Sequence, residues 1–349
     1  MWSIIGHEKA AALLERSLKN GTTAHAYLFV GPAHLGKMTL AINFAQALNC
    51  ESVEAPCGQC QSCQRIASGK HADVQTIILP ENDTTENEPR TKISVDQIEL
   101  LQHSASLPPF EGKHKVFIID EAEVFSIGAA NRMLKTLEEP APKVVFILLT
   151  TNDRLLPATV VSRCQRIELL PVAAAKIENV LIKSRGVDPE KAAVLARLSR
   201  GCPGWGLSAA TNDSLLQQRT ELLDELLTII GADYETRFDY VARWVGRSTS
   251  SANRQSLEDR LELWLDWWRD LLLVKTGSSE AVTNIDRLSW LTDLARSYSL
   301  AQIRGVISGI QAAGNQLRQN ANPQLVLEVL MLGLPEPGKH SSRKAARPA

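Results

Sequence analysis

The segment Gly31-Pro-Ala-His-Leu-Gly36-Lys37 has the spacing of a loop that wraps phosphate, and it follows the apolar run Tyr27-Leu28-Phe29-Val30. In such a loop the backbone N–H groups face phosphate, the lysine reaches the outer phosphates, and a hydroxyl on the next residue ligates magnesium. Here that next residue is Met38. A thioether is a soft, weak acceptor and Mg²⁺ takes hard oxygen ligands, so the phosphate chemistry survives while the metal chemistry is impaired. Thr39 comes one residue late, and one residue of helix turns a side chain by about 100°. Gly31, Gly36, Lys37 and Thr39 are therefore read as parts of a degenerate nucleotide site.

A second constellation is Val116-Phe-Ile-Ile119-Asp120-Glu121, a buried strand with two carboxylates at its carboxyl end, where open α/β sheets bind ligands. In ATPases with this loop the aspartate position engages magnesium and the glutamate position polarises the attacking water. Either motif alone is a modest signal, and their order reinforces both. After a third apolar run, Phe146–Leu149, the residues Thr150, Thr151 and Asn152 could touch a γ-phosphate or serve as turn chemistry, and Asn152 joins the candidate site. Arg163, in Ser162-Arg163-Cys164, stands near an expected helix C-terminus, where an arginine also complements the helix dipole.

Cys50, Cys57, Cys60 and Cys63 supply a third chemistry. Four thiolates surround Zn²⁺ tetrahedrally, and with no open position such a site is structural. The last three share the two-residue spacing of C-x-x-C turns; Cys50 ends the preceding helix, and His71 is the alternative fourth ligand.

The elements that must hold these residues alternate in type. Helical spacing marks residues 7–19 and 37–48, and strands are expected at 27–30, 116–119 and 144–149. That pattern predicts a mostly parallel α/β sheet. Residues 80–92 are polar and acidic and read as a mobile surface loop. Beyond Pro171 the strand signals stop, and helices run to about residue 333, with breaks near 201–204 and 231 and a loop around 276–280. Trp264, Trp267 and Trp268, with Leu261, Leu265, Leu271 and Leu272, form a helical stripe of core type. The 335–349 stretch reads as a disordered basic tail.

The chain has 349 residues, 44% hydrophobic and 22% charged, with a formal net charge of −1. No apolar run approaches the roughly 20 residues of a spanning helix, and the N-terminus lacks a charged start and an apolar h-region, so a cytoplasmic protein is expected. The near-neutral charge gives no global field toward nucleic acid.

Together, Gly6-His7-Glu8, His25–Pro32, the cysteine cluster, Asp120-Glu121-Ala122, Asn131–Pro140 and Ser162-Arg163-Cys164 resemble the AAA+ clamp-loader subunits of bacterial DNA polymerase III. The delta-prime branch is resembled more closely than the tau/gamma ATPase branch. The motifs span about residues 1–205. The resemblance implies an AAA+ domain over 1–170 with a zinc module at 50–63, a helical lid over 171–235 and a helical collar over 236–334. It also implies partners: tau/gamma and delta subunits, and, through the assembled ring, the sliding clamp and primed DNA. In that family the Ser-Arg-Cys arginine reaches the ATP of a neighbouring subunit, so Arg163 becomes the candidate finger in trans. ATPase members also carry a lid arginine on the nucleotide, and the corresponding stretch here, Gly201–Gly206, has Trp205 in its place.

Three functions compete on these residues: a subunit with little or no ATPase of its own that supplies Arg163, an active tau/gamma-like ATPase, and a zinc-bearing DNA-binding protein with a vestigial loop. Met38 and Trp205 favour the first.

Overall fold

The computed structural model describes residues 2–78, 93–246, 251–319 and 321–335, with backbone only at 251–255. The expected loop at 80–92 and all but the first residue of the expected tail lie outside the described residues. By internal contacts the chain divides into two units, residues 1–186 with 199–207, and residues 187–198 with 208–349.

In chain order the α/β part comprises α1 (Glu8–Lys19), β1 (Ala26–Val30), α2 (Lys37–Asn49), α3 (Gln61–Ala67), β2 (Val74–Ile77), α4 (Val95–Ser106), β3 (Lys115–Ile119), α5 (Ile127–Glu138), β4 (Val144–Thr150), α6 (Ala158–Val161), β5 (Gln165–Glu168) and α7 (Ala174–Arg185). All strand pairs are parallel, in the order β2-β3-β4-β1-β5. Successive side chains of a strand face opposite sides of the sheet, and here both sides are buried. Leu28, Phe117, Ile119, Phe146 and Leu148 pack toward α4, α5 and α6. Tyr27, Phe29, Val116, Ile118 and Ile147 pack toward α1 and α2. Helix starts are fixed locally: Ser94 and Gln97 form a reciprocal capping box on α4, and Ser126 caps α5.

The three apolar strands lie where the sequence puts them, extended by a residue at one end: β1 and β3 at the start, β4 at the finish. Two edge strands escape the sequence reading. β2 has no fully buried residue and β5 buries only Ile167, so neither carries the apolar run or alternation that announces a strand. The strand β5 ends at Glu168, consistent with strand signals stopping by Pro171.

The helical part contains α8 (Pro189–Leu198), α9 (Pro203–Thr211), α10 (Asp213–Gly231), α11 (Tyr234–Val245), α12 (Ser251–Lys275), α13 (Leu288–Ser297), α14 (Leu300–Arg318) and α15 (Pro323–Gly333). The second unit has its own core, in which Trp264, Trp267, Trp268 and Leu271 are buried with Leu291, Ile303 and Ile310. The tryptophan stripe is thus helix core. The buried Arg237 donates to the carbonyls of Ile229 and Ile230 at the end of α10 and of Met331 and Leu334 at the end of α15. Its charge meets two negative helix ends at once.

Candidate nucleotide cleft and cysteine cluster

The turn between β1 and α2 is built by residues that few substitutions could replace. A side chain at Gly31 would put its Cβ 2.8 Å from the Leu169 carbonyl, and Gly36 has a φ of 101°. The carboxyl ends of β1, β3 and β4 then open on one cleft of about 390 Å³. Gly36, Lys37, Met38, Thr39, Asp120 and Glu121 all line it. Gly31 and Asn152 are not among the lining residues: Gly31 shapes the turn from behind, and Asn152 caps the next short turn by accepting from the Arg154 N–H. Thr150 and Thr151 take part instead.

Lys37 is buried, and its ammonium donates to the carbonyls of Gly31 and Pro32 at 2.5 and 2.8 Å. Burial lowers its pKa, opposed chiefly by the nearby charges of Glu123 and Asp120. Its hydrogen-bonding capacity is directed largely at its own loop. Asp120 continues the ladder of β3, its N–H donating to Ile77, and Glu121 follows in a left-handed conformation with a φ of 48°.

Glu123 is a cleft residue that the sequence did not announce. The short turn Ala122–Val124 carries it back over the cleft, where one carboxylate oxygen accepts from the Thr151 N–H and hydroxyl at 3.0 and 2.6 Å. The other oxygen is buried with no hydrogen-bond partner among the described residues. The only hint was an acid two residues beyond Glu121. Trp205 is half-buried on α9 and does not line the cleft, whereas its neighbour Gly204 does.

Arg163 comes just after Ser162, the C-cap of α6, and outside the residues that line the cleft. Its guanidinium donates to the Thr159 carbonyl at 2.9 Å and pairs with Glu138 at 2.5 Å. The Cys164 thiol behind it is pushed up to about 12 by burial, so it is a protonated packing group.

The sulfurs of Cys50, Cys57, Cys60 and Cys63 all lie within 4.8 Å of one another. A tetrahedral Zn–S₄ centre with bonds of about 2.3 Å has sulfurs roughly 3.8 Å apart, so a small contraction makes the cluster fit a metal. Backbone N–H groups already point at these sulfurs: Cys57 to Cys50, Gln59 and Cys60 to Cys57, and Cys63 to Cys60. The bonds from Cys60 and Gln59 bring the Cys57 thiol down to about 6, while burial raises Cys63 to about 12. Gln46 holds the Cys63 carbonyl at 2.8 Å and Lys113 holds that of Cys50. His71 is not a ligand in this arrangement, because its ring nitrogens meet the Ser62 hydroxyl and the Asp73 N–H.

The parallel sheet, the phosphate-type loop and the carboxylate pair at the carboxyl end of β3 define an AAA+ P-loop domain. A family model described as "DNA polymerase III, delta subunit" matches residues 6–173. Subunit delta' of DNA polymerase III from Bacillus subtilis (strain 168) is 28% identical over 326 residues, which cover 93% of this chain and 94% of that protein. Subunit tau of the same organism is 27% identical over 94% of this chain, and the tau of Escherichia coli (strain K12) is 35% identical over 57% of it. This chain spans 60% and 30% of the lengths of those two tau proteins. Among solved structures, a DNA polymerase III gamma subunit-related protein from Thermotoga maritima aligns with a TM-score of 0.43 at 16% identity, covering 91% of this chain and 97% of that one. Over residues 6–173 the chain thus matches the DNA polymerase III delta-subunit family model, and over most of its length it is similar to the delta' and tau subunits of that polymerase.

Proposed function

We propose that this chain is a delta-prime-like subunit of the DNA polymerase III clamp loader. It assembles with tau/gamma and delta subunits and offers Arg163 to the ATP site of a neighbour during clamp loading on primed DNA. The observation that carries this reading is the state of its own cleft: Met38 stands in place of the magnesium hydroxyl, and Lys37 is bound to the loop's own carbonyls. A finger in trans stabilises charge on a transferred phosphoryl without needing a nucleotide on its own subunit. Residues 1–170 act as the AAA+ module, 171–235 as a lid and 236–334 as a collar, and the four cysteines hold a structural zinc. No described helix is long and apolar enough to cross a membrane, and the protein works in the cytoplasm with the replication machinery.

The reading is tested on the purified chain by calorimetric titration of ATP with and without magnesium, and by steady-state hydrolysis. Weak, magnesium-insensitive binding and no measurable turnover are expected; micromolar, magnesium-dependent binding contradicts it. A second reading, an active tau/gamma-like ATPase, draws on one observation, that Asp120, Glu121 and Lys37 share the cleft. It requires turnover that Lys37→Ala abolishes.

A further inference from the structure

The carbonyls of the phosphate-type loop are bound by three separate parts of the first unit. Lys37 donates to Gly31 and Pro32, the ring Nε2 of His7 meets the Leu35 carbonyl at 3.0 Å, and the backbone N–H of Gly204 donates to the His34 carbonyl at 2.9 Å. The last contact joins the loop to α9. Gly204 is the second residue of that helix, so its N–H has no acceptor within the helix, and the loop supplies one.

The approach is close enough to dictate the residue. A Cβ on Gly204 would lie 2.7 Å from the His34 oxygen. The same holds further along this strap. A Cβ on Gly201 would meet Pro171 at 2.6 Å and the Val172 carbonyl at 2.9 Å, and the Val172 N–H donates to the Gly201 carbonyl at 2.8 Å. A Cβ on Gly6 would meet a Val172 methyl at 2.5 Å. Gly6, Gly201 and Gly204 are thus the points where the N-terminal segment, the connection after β5 and the first turn of α9 are drawn onto one another and onto the loop.

We propose that Gly204 is the pin of a backbone latch that fixes the loop to the first turn of α9, so that the two move as one piece. The latch couples the first turn of α9 to the loop that ends at Lys37, and a displacement of either is transmitted through a hydrogen bond. It rests on backbone geometry alone and is independent of the role of Arg163 and of whether the cleft binds ATP.

Amide hydrogen exchange on the full chain without nucleotide tests it. The Gly204 amide is expected to exchange at least ~10-fold more slowly than an unstructured glycine, although a second helical residue has no intrahelical acceptor. Gly204→Ala is expected to raise exchange at residues 32–37 and 203–206 by a similar factor. The control Gly206→Ala, whose new methyl has its nearest neighbour at 3.4 Å, leaves the loop unchanged. Exchange of the wild-type Gly204 amide at the unstructured rate overturns the proposal, and so does a Gly204→Ala protein with an unaltered loop. Should Gly204→Ala fail to fold, the wild-type amide decides by itself.

Discussion

Freeing Arg163 from Glu138 costs little, because both partners are partly exposed, and an exposed ion pair contributes about 0–1 kcal/mol. On the proposed reading a neighbour's phosphate captures the guanidinium by exchanging one anion for another; the contact with Glu138 holds the side chain close to α6. Glu138→Gln is expected to leave the ATPase rate of a reconstituted loader unchanged or raised, while lowering the stability of the isolated chain by no more than about 0.5 kcal/mol. A severe loss of turnover in an assembled Glu138→Gln loader would show that the pair itself, and not a released arginine, is what the neighbour uses. At this scale the sequence was informative about residue types and poor about their company. Met38 was readable because a loop position has a fixed chemical duty, and Asp120 and Glu121 because a buried strand fixes where they emerge. Glu123 and the Lys37 contacts were not readable, since a short turn and a lysine rotamer depend on which surfaces close over them.

At the scale of elements, the edge strand β2 is held at its start by one carboxylate. Asp73 is fully buried and accepts from the backbone N–H groups of Phe110, Glu111 and Gly112 at 2.7 to 2.8 Å. Burial opposes its charge, but the three N–H groups and the nearby His71 outweigh it, and its pKa is lowered. The sign follows from linkage: a carboxyl whose folded pKa lies below its unfolded value, about 3.9, contributes stability above that value and loses it as pH falls through the folded one. Asp73→Asn is expected to cost about 2 kcal/mol at neutral pH, and its deficit against wild type should shrink as the pH of denaturant titrations falls below about 4. A deficit constant from pH 7 to pH 3 would contradict this assignment. The buried carboxylate explains in part why β2 was invisible in the sequence: the strand is placed by a polar anchor and by pairing with β3, not by apolar side chains of its own. The central strands were legible for the opposite reason, since burial on both faces leaves a continuous apolar run.

At the scale of the whole molecule, the two units carry different features. The first unit holds the cleft, the cysteine cluster and Arg163, and the second unit is helical, with five of the seven tryptophans, at positions 244, 264, 267, 268 and 290. Tryptophan fluorescence therefore reports mainly on the second core. Arg237→Met would leave four carbonyls at two helix ends without their shared donor, and is expected to destabilise that core by roughly 2–4 kcal/mol in a fluorescence-detected denaturant titration. An unchanged midpoint would mean that the helix ends are satisfied without it. The helical character of this half was plain in the sequence from its 3.6-residue periodicity, whereas the grouping of α8 with the later helices depends on contacts far apart in the chain. On the proposed reading, a chain with Met38 at the magnesium position serves a phosphoryl-transfer machine through a cation that acts on another subunit. The direct test is the clamp- and DNA-stimulated ATPase rate of a loader reconstituted with wild-type chain or Arg163→Ala, with assembly verified by size and composition. The account predicts intact assembly and a fall in turnover of at least about tenfold at the site this subunit faces; intact assembly with undiminished turnover would contradict it.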